Sequence, residues 1–270
     1  MEYSFGKLAV VALTAFVCLF SGCKTDDSVG QSLAEVKTNK SATTYVVTVG
    51  MENSKFAGAC PGAGIDAKRM TELLRAYSDN VVAFSSETAV KKDVVKAIEN
   101  AVAKAELFIF FYSGHGGSDK FWDTGADETD GKDEFYCLYD TYLRDNEMWK
   151  LISKANGRVL LINDCCHSQS LFQAPSFRGI TMKKCVPFAA THTAPGTISM
   201  QCWSGCPDNT YSYGSSTGGQ FTNTLLKYFN PTKTYDYLWE EIEQDSNLQR
   251  FEKVQRTVMG TGFGAKPIFR

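Results

Sequence analysis

The sequence has almost no excess of charge of either sign. Its 28 Lys and Arg residues nearly balance its 30 Asp and Glu residues, which leaves a formal net charge of −2. Binding to nucleic acid usually depends on clustered positive charge that neutralises phosphate groups. Internal repeats with a period of about 20–50 residues are also absent, which argues against a solenoid. We therefore expect a non-repetitive protein without a nucleic-acid partner.

Biased composition is lacking as well. The chain has only 7 Pro and 22 Gly residues, which excludes a collagen-like or low-complexity protein. Hydrophobic residues make up 43% of the sequence and charged residues 21%, so wholesale disorder is excluded too. A chain of 270 residues allows one large α/β domain or two small ones.

A hydrophobic run long enough to cross a bilayer is missing from the N-terminal region. After Lys7, the apolar run Leu8–Phe20 has the length of a signal-peptide core, and it ends in Ser21-Gly22-Cys23. Small residues before a cysteine resemble the bacterial lipobox, in which the cysteine is lipidated and becomes the new N-terminus. We expect an exported protein of the bacterial cell envelope, held at the membrane by lipid on Cys23. An ordinary secretory signal is the alternative.

This interpretation divides the chain into three parts. They are a lipoprotein-type signal peptide over residues 1–22, a polar tether over 23–43 and a folded domain over 44–270. Of the nine cysteines, Cys18 would leave with the signal and Cys23 would carry lipid. An odd number then remains in an exported protein, which suggests a free thiol, and disulfides among the other six stay open. The seven are Cys60, Cys137, Cys165, Cys166, Cys185, Cys202 and Cys206.

Strand-like and helix-like segments alternate along the body of the chain. Apolar, β-branched runs predict strands at 44–49, 81–84, 107–112, 158–163 and 198–203, and the segment 267–269 is expected to close the sheet. Amphipathic spacing predicts helices at 66–77, 88–105, 145–155, 221–229 and 235–248. The alternation predicts an α/β fold with a mainly parallel sheet that is covered by helices on both faces.

Reactive residues follow the two most apolar of these strands. The first strand runs into Ser-Gly-His115-Gly-Gly, and the second runs into Asp-Cys165-Cys166-His167. Ligands bind beyond the carboxyl ends of parallel strands, where a Cys and a His can form a nucleophile–base pair. Adjacent cysteines on an extended chain point to opposite faces, so only one can meet His115. The residues alone leave open which one does.

Two other interpretations of these residues carry less weight. A zinc site is disfavoured because Cys165, Cys166 and His167 cannot easily converge on one ion. A purely structural role, with buried thiols and a satisfied histidine, leaves unexplained why two reactive residue types follow two neighbouring strands.

The two motifs, Phe-Phe-Tyr-Ser-Gly-His115-Gly and Leu-Ile-Asn-Asp-Cys-Cys166-His-Ser, resemble the paired motifs of the metacaspases. These are cysteine peptidases of the caspase-like clan, and the resemblance extends from about residue 44 to residue 270. It implies a caspase-like three-layer α/β sandwich. It also implies that Cys166 is the nucleophile and that His115 activates the thiol and protonates the leaving amine. The backbone N–H groups of Gly116 and Cys166 would stabilise the oxyanion.

The resemblance also implies a substrate class. Asp66, Ser113 and Asp164 match positions that line the first specificity pocket of metacaspases. Two carboxylates in a pocket attract a cation, so we expect peptide or protein substrates that are cleaved after Arg or Lys.

The resemblance implies calcium ligands less well. Asp130 and Asp145 match calcium positions of the family, but Asn146 replaces a second acid. We therefore expect no cofactor, with weak calcium binding as the alternative.

Two other functions remain open from the sequence. A catalytically inactive caspase-like binding module at the membrane surface would agree with Gln169, which replaces the glycine that follows the family motif. A hydrolase of a non-peptide ester or amide would use the same two reactive residues. The intact pair of His115 and Cys166 favours the cysteine endopeptidase.

Overall fold

A computed structural model describes residues 40–119, 133–165, 198–206, 212–260 and 262–269. These residues belong to one compact unit, Asn39–Arg270. The predicted signal peptide, the lipidation site Cys23, nearly all of the tether, the calcium candidate Asp130 and the predicted nucleophile Cys166 lie outside the described residues. Within the described part, no helix has the length and apolar character that crossing a bilayer would require.

The regular elements include most of the strands and helices that the sequence predicts, together with several short strands that it does not. The strands are β1 (Thr44–Gly50), β2 (Asn80–Ser85), β3 (Leu107–Gly114), β4 (Gly116–Asp119), β5 (Asp133–Cys137), β6 (Tyr142–Arg144), β7 (Arg158–Cys165), β8 (Ser199–Ser204), β9 (Gly214–Ser215), β10 (Gly218–Gly219) and β11 (Gln255–Met259). The α-helices are α1 (Ala63–Arg75), α2 (Lys91–Val102), α3 (Asp145–Ile152), α4 (Gln220–Tyr228), α5 (Tyr235–Glu243) and α6 (Ser246–Phe251).

Six strands form the central sheet, in the order β11-β8-β7-β3-β1-β2. All neighbours are parallel except β11, which runs antiparallel to β8. The prediction that residues 267–269 close the sheet is wrong, because β11 occupies that edge. Proline has no N–H to donate to a strand ladder, and Pro267 makes only an isolated bridge to Thr234.

Helices cover both faces of the sheet, as the sequence predicts. Alternate residues of β3 enter two separate apolar clusters, because successive side chains of a strand point to opposite faces. One cluster, with α2 and α3, contains Phe108, Phe110 and Tyr112, and the other, with α1, α4, α5 and α6, contains Leu107, Ile109 and Phe111. The three-layer α/β sandwich is therefore present.

Two details of the fold differ from the sequence prediction. The single helix predicted over 235–248 is two helices, because the Asp245 side chain accepts the backbone N–H groups of Asn247 and Leu248 and so begins α6. A small antiparallel sheet, β4-β5-β6, follows the His115 turn and was not predicted. Its strands are only three to five residues long, too short for a clear alternating pattern.

Candidate active site

The ends of β3 and β7 bring the two sequence motifs side by side. Ser113 pairs in register with Asp164, and Gly114 pairs with Cys165. Helix α1 begins at Ala63 and places Asp66 in its first turn. The side chains of Asp66, Ser113 and Asp164 are fully buried. The structure thus brings the three predicted specificity residues together at the carboxyl edge of the sheet.

His115 follows β3 directly, and its backbone is held firmly. Its carbonyl oxygen accepts the Tyr112 hydroxyl at 2.6 Å and the Cys137 N–H at 3.0 Å. Its ring Nε2 lies 3.3 Å from the carbonyl oxygen of Ala59. Residue 114 is glycine for two reasons: its φ is 156°, and a Cβ there would lie only 2.7 Å from the Tyr112 hydroxyl oxygen. The predicted base is therefore fixed at the edge of the sheet.

Cys165 lies on the other face of β7 from Asp164. It is fully buried in the apolar cluster that contains Tyr112 and Tyr136. Its Sγ lies next to Gly116, since a Cβ built on Gly116 would be in ordinary contact with it at 3.6 Å. An apolar, closed environment is typical of a structural cysteine.

Asp66 is held by its own chain. Its carboxylate accepts the Gly219 N–H at 2.9 Å and the Ser113 hydroxyl at 2.9 Å. Burial, and next the negative charge of Asp164, raise the pKa of Asp66 to about 7, although these hydrogen bonds and the charge of Arg69 act in the opposite direction. The two acids are therefore close enough for each to make ionisation of the other harder.

Asp164 has equally specific partners. One carboxylate oxygen accepts the Ser212 hydroxyl at 2.8 Å, and the other accepts the N–H and the hydroxyl of Thr222 at 2.9 and 2.6 Å. Gly62, rather than Asp66, occupies the N-cap of α1, and Asp164 lies within β7 rather than in a turn.

Two glycines cover the acid pair. The short hairpin of β9 and β10 ends at Gly218 and Gly219. A Cβ on Gly218 would clash with the carboxylate of Asp66, and a Cβ on Gly219 would clash with that of Asp164. Only backbone fits so close to both carboxylates. Gly218, Gly219 and Thr222 were not predicted to belong to the site. Ser212 stands in no motif, so nothing in the sequence marked it as a partner of Asp164.

The described residues hold no group of three side chains suited to a metal ion. Asp145, the calcium candidate that is described, is buried at the start of α3, where one of its oxygens accepts the Asn146 N–H at 2.7 Å. The described part of the chain therefore offers no built calcium site, and no step below depends on one. The five described cysteines form no disulfide with one another; they are Cys60, Cys137, Cys165, Cys202 and Cys206.

Comparison with known families identifies the fold and its chemistry. The family model described as the caspase domain matches residues 45–269. The chain belongs to the caspase-domain family. Its members are cysteine peptidases, as the two motifs indicated. A search of curated proteins finds no significant match.

Solved structures agree with this family. A protein from Geobacter sulfurreducens is similar with a TM-score of 0.64 and 26% identity, over 84% of this chain and 98% of that one. Caspase-1 from Spodoptera frugiperda is similar with a TM-score of 0.54 and 13% identity, over 84% of this chain and 92% of that one, which supports the fold alone.

Proposed function

We propose that this caspase-domain protein is a cysteine endopeptidase that cleaves after Arg or Lys with a Cys166–His115 dyad. The Cys166 thiol loses its proton to His115, and the thiolate adds to the scissile carbonyl to form a tetrahedral intermediate. His115 then protonates the amine, the C–N bond breaks to leave a thioester acyl-enzyme, and water hydrolyses that thioester. Backbone N–H groups of Gly116 and Cys166 stabilise the oxyanion in both steps.

The observation that carries the specificity is the acid pair of Asp66 and Asp164. Both carboxylates are fully buried, and they flank Ser113, two residues before His115. Burying two like charges without a cation is unfavourable, and the raised pKa of Asp66 expresses that cost. A substrate guanidinium or ammonium group would relieve the repulsion and bind both acids through charge-assisted hydrogen bonds.

The cover of the acid pair suits the entry of a substrate side chain. Gly218 and Gly219 contribute only backbone there, and the turn at 215–217 is exposed. The Gly219 N–H donates to Asp66, and the Gln220 N–H donates to the Tyr213 carbonyl at the base of the hairpin. We therefore expect the substrate cation to take the place of the Gly219 N–H at Asp66 while the base of the hairpin stays in position.

Fluorogenic peptides test the proposal directly. Residues 24–270 should cleave peptides that have Arg or Lys before the reporter group, and should leave a matched Asp peptide and a citrulline peptide largely intact. Citrulline keeps the shape of Arg without its charge, so the pair isolates the charge. Cleavage of the Asp peptide in preference would contradict the specificity. Failure on all peptides would instead favour an inactive binding module.

We also propose that the protein is exported and anchored by lipid on Cys23. The support is the apolar run that ends in Ser21-Gly22-Cys23. Cys23→Ala should remove labelling by a fatty-acid analogue and release the protein from the membrane fraction or stop its maturation. If the unmodified protein is soluble and unlabelled, the anchor is absent and an ordinary secretory signal stands.

A further inference from the structure

A third carboxylate lies behind the acid pair. Glu252 follows the last residue of α6 and is 4% exposed. Its side chain accepts hydrogen bonds from the Ser212 hydroxyl, at 3.0 Å, and from the Tyr213 N–H. A buried carboxylate is costly unless it is hydrogen-bonded, so these contacts fix its position. No step of the proposed reaction uses this residue.

Ser212 connects Glu252 to the pocket. Its hydroxyl oxygen lies 2.8 Å from an oxygen of Asp164 and 3.0 Å from one of Glu252. A hydroxyl has one proton and can donate to only one of the two carboxyl groups at a time. The two acids therefore share one donor, so a change at Glu252 alters what Ser212 offers to Asp164.

The end of strand β8 leaves room for the hydrogen-bonded bridge from Asp164 through Ser212 to Glu252. Gly205 comes directly after β8, and a Cβ there would lie 2.9 Å from the Ser212 hydroxyl oxygen and 3.3 Å from a carboxylate oxygen of Glu252. Any larger residue would push the bridge apart.

Glu252 also holds one end of the hairpin that covers the acids. The hairpin begins after Tyr213, whose N–H binds Glu252, and ends at Gly219, whose N–H binds Asp66. The Gln220 N–H donates to the Tyr213 carbonyl at 2.8 Å and closes its base. Both ends of the hairpin are thus attached to buried carboxylates. One of these is in the pocket and the other is Glu252.

We propose that Glu252 is a positioning residue for substrate specificity. It holds Ser212 and the start of the hairpin so that Asp164 and Asp66 face the substrate cation together. This inference rests on the proposed cleavage after Arg or Lys, and it adds a residue that touches neither the substrate nor the reacting atoms.

The test compares Glu252→Ala and Glu252→Gln, with exposed Glu243→Gln as the matched control. Gln keeps an acceptor oxygen for Ser212 and Tyr213, whereas Ala removes it. Glu252→Ala should raise KM for the Arg peptide and lower the ratio of Arg to citrulline cleavage about tenfold, because Ser212 and the start of the hairpin lose the acceptor that holds them. Glu252→Gln should stay within about threefold of the unmodified ratio, because it keeps both contacts.

A second measurement does not depend on activity. Amide hydrogen exchange in the Cys166→Ala background should show faster exchange at both Tyr213 and Gly219 in Glu252→Ala, and no change in Glu243→Gln. Gly219 is the informative amide, because it contacts Asp66 and not Glu252. If Glu252→Ala is too unstable to purify, Ser212→Ala takes its place and should lower the same ratio.

The outcomes separate the two proposals. Unmodified protein that shows no preference for Arg over citrulline contradicts the proposed specificity, and this inference with it. A clear preference for Arg that survives both Glu252→Ala and Ser212→Ala overturns this inference alone. Unchanged exchange at Gly219 also overturns it, because the hairpin would then not depend on Glu252.

Discussion

The two faces of the sheet differ sharply at its active edge. On the face of α1, Ser113 and Asp164 meet Asp66 in a network of carboxylates and hydroxyls. On the opposite face, Cys165 and Tyr112 enter an apolar cluster. The residues of these two sets alternate along β3 and β7, so neighbours in sequence belong to different environments. We infer that a reactive residue type alone does not give a residue a chemical role here, and that its role depends on the face of the strand that carries it.

The face that carries Cys165 and Tyr112, here called the thiol face, holds groups in their neutral forms. Burial raises the pKa of the Tyr112 and Tyr136 hydroxyls, both of which lie in its apolar cluster. Neither group is then available as a base or nucleophile near neutral pH. The face that carries Ser113 and Asp164 and contacts Asp66, here called the acid face, holds groups whose charge a cationic ligand would stabilise. We therefore assign recognition to the acid face and structural support to the thiol face.

The largest expected effect separates the two adjacent cysteines. Cys166→Ala should lower kcat by about four orders of magnitude or more, because the nucleophile is lost. Cys165→Ala should keep most of the activity and reduce stability, since it only leaves a small cavity in the apolar cluster. Peptidase assays on the two purified variants, with thermal unfolding as the control, check this. An inactive Cys165→Ala that is fully folded would make Cys165, and not Cys166, the nucleophile.

Asp66→Asn should break the acid face without disturbing the thiol face. Losing one partner of a buried charge pair typically costs about 2–5 kcal/mol, so kcat/KM for Arg peptides should fall by about one to three orders of magnitude. Much of that loss should be absent for citrulline peptides. Equal losses on both peptides would mean that Asp66 supports the fold and does not bind the substrate.

Tyr112→Phe changes the thiol face and leaves the acid face intact. It removes a buried hydroxyl that lies within hydrogen-bond distance of two carbonyl oxygens, those of His115 and Cys137. We expect a loss of about 1–3 kcal/mol in the free energy of unfolding. The ratio of Arg to citrulline cleavage should not change, because the acid face is intact. Denaturant unfolding and the same two peptides measure both effects. A changed ratio would show that the faces are coupled.

The last expected effect concerns the pH dependence of stability. The pKa of Asp66 rises from 3.8 to about 7 on folding, so the folded protein binds this proton more tightly than the unfolded chain. The free energy of unfolding should therefore fall as pH increases from about 4 to about 7. Asp164 and Arg69 are the charged groups that act on Asp66.

Asp66→Asn should remove part of this pH dependence, by roughly 1–4 kcal/mol between pH 5 and pH 8. Denaturant midpoints of the unmodified protein and the variant at the two pH values measure it. An unchanged slope in the variant would show that other groups cause the pH dependence.

Much of the fold was predictable because its main signals are local. Uninterrupted apolar runs predict β3 and β7, and amphipathic spacing predicts the helices that cover them. What the sequence could not provide were long-range choices, such as which segment pairs with β8. Residues 255–259 carry weak strand signals, and their place at the edge is set by pairing with β8.

The candidate site divides in the same way. His115 and Asp164 stand in recognisable motifs, and Asp66 matches a position of the family, so these residues could be named in advance. Ser212 and Glu252 stand in no motif, and they become partners of the site only because the chain returns to the carboxyl edge of the sheet late in the sequence. Their contribution could be found only from contacts.

Covalent labelling tests the central claim most directly. A peptide ending in Arg with a thiol-reactive ketone should modify the unmodified protein at Cys166, as mapped by mass spectrometry. It should do so much faster than the matched Asp peptide, and still in Cys165→Ala. Modification at Cys165 would contradict the proposed nucleophile, and faster labelling by the Asp peptide would contradict the proposed specificity.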